Sequence, residues 1–257
     1  MLISWSFIYA VYPLLRDCIL KKEILWVERL QNVFRCFVLG NYHLWYLYMI
    51  IGLYMLTPFL REIAKNKQNL KYFLELSAIF SVIMPLLSNI DFFELFVTCL
   101  DQLHLNMVMG YTFLFMLGYY LSICDFSCKQ IQICKVICVA ELFLTVVITC
   151  NNEGYLFLVD GVFSIGITIM VTCLFIIFKY SSWSKKPIFT KLIMLISDYS
   201  LGIYLIHALF VHYITLKSSD WFKPGLDIIA SFFVILGISF TIVCLLKKIP
   251  YIGKIIV

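Results

Sequence analysis

The amino-acid sequence predicts an all-α fold, a polytopic transmembrane helical bundle of about eight spans with both termini cytoplasmic. Three observations predict it. Hydrophobic residues make up 63% of the chain and charged residues only 14%. Soluble domains sit near half apolar and about a quarter charged, so the apolar surplus here has to face lipid. The apolar residues gather in eight runs, near 2–16, 42–60, 72–88, 104–122, 133–150, 161–178, 192–216 and 227–246. A helix crosses a bilayer with roughly 20 mostly apolar residues. Finally, the basic residues between runs alternate in density as the positive-inside rule requires.

The first run begins at once and lacks the basic n-region and small-residue cleavage site of a signal peptide. The segment after it, RDCILKKEILWVERLQNVFR, mixes five basic residues with Asp17, Glu23 and Glu28, the pattern of an amphipathic surface segment. The second run opens with Tyr42, Trp45, Tyr46 and Tyr48, which read as an aromatic belt at headgroup level. Near its end, Pro58 is expected to loosen the last turn, with neighbours satisfying the freed carbonyl.

Starting the chain in the cytoplasm puts four, two, four and three basic residues in the inner segments near 61–71, 123–135, 179–191 and 247–257. The outer segments near 89–103 and 151–160 carry none, and the one near 217–226 carries two. The later runs are too long and too continuously apolar for barrel strands. No repeat, low-complexity tract or soluble insert separates them, so residues 1–257 read as a single transmembrane domain. The net charge of +5 reflects this topology and does not point to a nucleic-acid partner.

The ten cysteines include no C-x-x-C pair. Cys124, Cys128, Cys134 and Cys138 form the one tight group, with no histidine near, and read as small apolar helix residues rather than a metal site. Disulfides among Cys18, Cys36, Cys99 and Cys150 require an oxidising side.

Polar groups in apolar runs carry the functional signal. The topology puts His43, His104, His207, His212, Asp101 and Asp160 near one outer depth, which suggests a polar mouth, and intramembrane ionisable groups are functional candidates. At 3.6 residues per turn, Ser197, Ser200, Tyr204 and His207 share a stripe, continued by Val211. Two readings of that stripe stand side by side: an interhelical hydrogen-bond seam, or the lining of a polar passage. A neutral His207 donates at one nitrogen and accepts at the other, which suits orienting a hydroxyl or carbonyl. Asp198 and Glu141 are secondary candidates within their runs. Signatures of a nucleophile elbow, a zinc helix and a phosphate loop are missing.

Two stretches add a resemblance. YHLWYLYMIIGLYMLTPFLR (Tyr42–Arg61) and SDYSLGIYLIHALF (Ser197–Phe210), in this order and separation, resemble the integral-membrane acyltransferase family called acyltransferase 3. Its members include O-acetyltransferases that modify surface polysaccharides and related envelope glycans. The resemblance implies cytoplasmic acyl-CoA, acetyl-CoA above all, as co-substrate with no bound cofactor. It implies a glycan or lipid-linked sugar hydroxyl as acceptor, membrane lipid as surroundings, no nucleic acid, and a bacterial inner membrane. Such chemistry needs a positioned base for the hydroxyl and donors for the developing oxyanion.

Carried over residue by residue, the resemblance assigns His43, Trp45, Ser200, Tyr204 and His207 to the lining of the acyl or acceptor passage. ISWSFIYAVYPLL resembles the third span of the family. The family's first two spans, with the histidine taken as its base, are therefore expected upstream of Met1, and the chain reads as N-terminally truncated. No catalytic base is assigned within it. The alternative is a transporter or flippase of a lipid-linked sugar or small solute, which predicts helices interrupted at matching positions, with Pro13, Pro58 and Pro85 as the breaks.

Overall fold

The computed structural model describes residues 2–19, 31, 33–35, 37, 42–103, 105–151, 158, 161–181, 187–218 and 226–249. Among them the chain is helices and turns, with no strand. Helices occupy each apolar run. They are α1 (Leu2–Ile19), α2 (Trp45–Lys65), α3 (Lys67–Ala78) continued by α4 (Met84–Leu87), α6 (Asn106–Ile123), α7 (Cys128–Asn151), α8 (Ile165–Lys179), α9 (Pro187–Ser218) and α10 (Leu226–Lys248). The short α5 (Glu94–Asp101) precedes α6. Among the described residues, five stretches are long and apolar enough to cross a bilayer: Trp45–Lys65, Lys67–Leu87, Cys128–Cys150, Pro187–Val211 and Asp227–Lys248. Gly110–Ile123 and Ile165–Lys179 are apolar but shorter.

These helices keep little of their apolar surface from their surroundings. Only 11% of the spanning window in α2 is buried inside the protein. Met55, Phe59, Phe143 and Ile188 all stand more than two-thirds exposed. So much exposed apolar surface is stable only against lipid.

Local chemistry sets the helix ends. Asn66 separates α2 from α3 and caps α3, its side-chain oxygen accepting from the backbone N–H groups of Gln68 (2.8 Å) and Asn69 (3.4 Å). Ser164 does the same for α8 through Ile167 N–H. Pro187 begins α9, where its missing N–H costs nothing. Pro85 lacks the N–H that Ser81 would receive in an α-helix, and a π-turn over Ile79–Ile83 takes up the mismatch. Helix α2 continues through Pro58 to Lys65.

The described residues divide into two compact units, residues 1–48 with 183–257, and residues 49–182. In the first, α9 packs on α10. Trp5 and Tyr9 of α1, Leu44 of the turn before α2, Leu47 of α2, Leu205 and Ile206 of α9, and Val243 of α10 form its core, with Leu44, Leu205 and Val243 fully buried. In the second, α3 packs on α6 and α7 on α8. One core there gathers Leu60, Leu70, Leu74, Val82, Phe113 and Met116, and another Phe80, Met84 and Val97.

A cation finishes α6. The Lys179 ammonium, at the end of α8, donates to the carbonyls of Leu121 (3.1 Å) and Ser122 (2.8 Å) and to that of Cys124. Terminal carbonyls have no partner within their own helix, and a positive charge suits that end of the dipole. Lys179→Met should lower the unfolding free energy in detergent by about 1 kcal/mol, whereas Lys179→Arg should keep most of it; thermal melts of the two variants decide.

Candidate functional site

Five rings from four segments meet in the first unit. Tyr9 comes from α1, His43 from a 3-10 turn over Tyr42–Leu44, Tyr46 from the first turn of α2, and Tyr204 and His207 from α9. The Tyr9 and His43 ring centroids lie 4.6 Å apart at 69°, an edge-on contact. His43 also meets Tyr204 at 5.9 Å and His207 at 5.8 Å. Tyr204 meets His207 at 5.8 Å and Tyr46 at 5.7 Å.

Two phenols tie these segments together. The Tyr9 hydroxyl donates to the Leu205 carbonyl at 2.6 Å in a buried bond. The Tyr204 hydroxyl donates to the His43 carbonyl. Both bonds join segments distant in sequence, so each holds α9 against a partner rather than merely satisfying its own helix. His207 Nδ1 lies 2.6 Å from the Tyr204 carbonyl. A carbonyl only accepts, so Nδ1 carries a hydrogen; in an uncharged imidazole the lone pair then sits on Nε2. The ring of the half-buried His207 is held by its own helix.

His43 is buried, in the turn before α2. Burial, followed by the adjoining His207 ring, pushes its imidazole from the ordinary value of 6.5 down to about 4, against a smaller upward pull from the Leu205 backbone. The ring is therefore neutral across the physiological range.

The structure brings together His43, Tyr204 and His207, places Trp45 at the edge of the cluster against Tyr46, and leaves Ser200 outside it. Trp45 is 48% exposed, and its ring stands 6.2 Å from that of Tyr46. Ser200 is exposed, and its hydroxyl donates to the Ser197 carbonyl at 2.9 Å. The stripe therefore divides: its upper half adjoins the core through Leu205 and Ile206, and its serines do not. Asp198 is exposed, and its backbone carbonyl receives the Lys247 ammonium, which also sits 4.1 Å from the Tyr199 ring centre.

Glu141 belongs to the second unit. Its Oε1 lies 2.2 Å from where a Cβ on Gly166 would stand, with the Leu158 carbonyl at 2.9 Å. A carboxylate against the first turn of α8 complements that helix end. Asp101 is exposed at the end of α5. His104, Asp160 and Cys36 lie outside the described residues, as do the side chains of His212 and Cys18. Cys99 and Cys150 are free thiols.

Tyr9 and Tyr46 are the ring partners that sequence reasoning did not assign to the site. Trp5 and Tyr9 are four residues apart and their rings lie 6.0 Å from each other, so spacing marks a face. Nothing in an apolar run shows that the phenol on that face is buried.

The helices and this cluster define an integral membrane protein with an imidazole–phenol site. The chain belongs to the acyltransferase 3 family: the family model described as an acyltransferase domain, Acyl_transf_3, matches residues 1–247. No curated protein and no solved structure matches the chain.

Tyr9→Phe and Tyr204→Phe should each cost about 1 kcal/mol of stability. The double variant should depart from additivity, because both bonds locate α9, and denaturant unfolding in detergent reads the coupling. The His43 ring should show no titration between pH 5 and 8 by NMR. Because its folded value is the depressed one, its contribution to stability is complete above 6.5 and declines as pH falls toward about 4. Gly166→Ala should destabilise by about 1–3 kcal/mol. Adding Glu141→Ala should recover only part, since the Leu158 carbonyl stays in place, as the same unfolding assay would show.

Proposed function

We propose that this membrane acyltransferase moves an acyl group, most readily acetyl, from acyl-CoA to a hydroxyl of a cell-envelope glycan or related acceptor. In this reading the chain lies in a bacterial inner membrane, crosses it about eight times and keeps both termini in the cytoplasm. The acceptor oxygen forms the new ester bond to the acyl carbon, the thioester C–S bond breaks, and coenzyme A leaves as the thiol once it takes up the hydroxyl proton. The observation that carries the site assignment is the 2.6 Å contact of His207 Nδ1 with the Tyr204 carbonyl, beside the His43 and Tyr204 rings. An Nε2 lone pair on a ring held by hydrogen bond and packing suits orienting an acceptor hydroxyl. Tyr204, His43 and Tyr9 act as positioning residues behind it.

The transporter reading predicts helices broken at matching prolines. Helix α1 continues through Pro13 and α2 through Pro58, and an interruption accompanies Pro85. One irregular helix does not make a repeated pair, which favours the transferase.

The test is transfer of labelled acetyl from acetyl-CoA in membrane vesicles supplied with envelope glycan. His207→Ala should lower kcat by about a hundredfold while the KM for acetyl-CoA holds, since misplaced reacting groups cost that order of rate. Accumulation of an unmodified sugar or solute without acyl-CoA, unaffected by His207→Ala, would instead support transport.

A further inference from the structure

In the second unit, a groove of about 610 Å³ runs between the last two turns of α2 and the second half of α6. Its floor is apolar, built by Leu60, Phe115 and Met116, and its rim carries Arg61 and Lys65. The size falls within the range of ligand sites. Arg61 stands one turn inside the end of a spanning helix. Among the described residues it has no hydrogen-bond or ion-pair partner. Lys65 pairs with Glu62 at 2.6 Å, but both are about 70% exposed, so that bond exchanges at little cost.

A guanidinium at that depth needs an anion, and an apolar floor beside it needs a chain. We infer that the groove holds an anionic phospholipid of the bilayer, its phosphate bridging Arg61 and Lys65 and an acyl chain lying over Leu60, Phe115 and Met116. Charge complementarity selects this occupant. Basic pockets between spanning helices take anionic headgroups on the cytoplasmic side, and an arginine offers the fork geometry that a phosphate accepts. A zwitterionic lipid would fill the floor, but its own ammonium group already balances its phosphate and it brings no net charge to Arg61. The site depends on the membrane placement of α2 and not on the transfer chemistry.

Native mass spectrometry of the full chain in detergent, with phosphatidylglycerol or phosphatidylcholine of equal chain length, tests it. The wild-type protein should prefer phosphatidylglycerol. Arg61→Gln and Lys65→Gln should each weaken that binding about fivefold, Arg61→Lys should retain most of it, and Lys129→Gln with Lys135→Gln should leave it unchanged. Equal retention of the two lipids, or an equal loss in the Lys129/Lys135 control, would overturn the site. Displacement of phosphatidylglycerol by coenzyme A, lost in Arg61→Gln, would give the groove to the acyl donor and overturn the lipid assignment. A phosphatidylglycerol with a photoreactive acyl chain adds a readout that needs no variant. It should label Phe115–Tyr119 in the wild-type chain, and labelling confined to other helices would count against the groove.

Discussion

Lipid offers no hydrogen bonds, and the rest of the structure follows from that deficit. A backbone placed in hydrocarbon has to pair its own N–H and C=O groups, so the apolar runs become helices. Some of the small polar side chains they carry meet the same demand locally, although the buried hydroxyls of Ser77, Ser81 and Ser239 find no partner among the described residues. Thr57 donates to Leu53, Thr149 to Thr145, Thr172 to Thr168 and Thr241 to Gly237, each to the carbonyl four residues back. Such groups are satisfied before any other helix approaches. They tolerate the membrane without specifying how helices assemble.

The phenols of the first unit behave differently, and that difference makes a site. Tyrosine cannot fold back on its own helix as serine does. Its hydroxyl stands some way from the backbone and reaches a carbonyl elsewhere. Tyr9 finds Leu205 and Tyr204 finds the His43 turn, so the bonds that remove two polar groups from an apolar medium also fix where α9 lies. The His207 ring inherits that placement. It is held by the Tyr204 carbonyl on one side and by the His43 and Tyr204 rings on the others, which leaves Nε2 as the ring nitrogen that no partner in its own helix engages. Preorganisation of this kind is what a transfer reaction needs from side chains that do not themselves form bonds.

Helix positions were legible in the sequence because hydropathy integrates over many residues, and each apolar run is helical, five of them long enough to cross a bilayer. Helix ends were less so. The break at Asn66 depends on one amide accepting two backbone N–H groups, and the π-turn before Pro85 on how a single missing donor is accommodated. The site was half legible. A 3.6-residue period groups Ser200 with Tyr204 and His207, but period alone cannot say how far along a helix its neighbours extend. Leu205 and Ile206 are buried and Ser200 is not, so the packed part of α9 begins just beyond the serines. Tyr9 was invisible for a related reason, since an aromatic residue in an apolar run looks the same at a core and at a lipid face.

The basic residues that signalled topology also do structural work, and each does it through the chemistry nearest to it. Lys179 reaches across to the orphan carbonyls at the end of α6. Lys247, in the last turn of α10, divides its charge between the Asp198 carbonyl and the face of Tyr199, a cation–π contact on a helix surface. A positive-inside bias counts both alike, yet the first closes a helix end and the second pins a helix pair. Neither use consumes a carboxylate, which keeps net positive charge available at these helix ends. Arg61 departs from both: one turn inside its helix, it faces an apolar groove and not a carbonyl. A cation that reaches neither backbone nor aromatic face in its own protein has its energetic complement in the surrounding membrane. The charge bias therefore has two physical meanings here, with some cations completing the fold and others left to meet the bilayer.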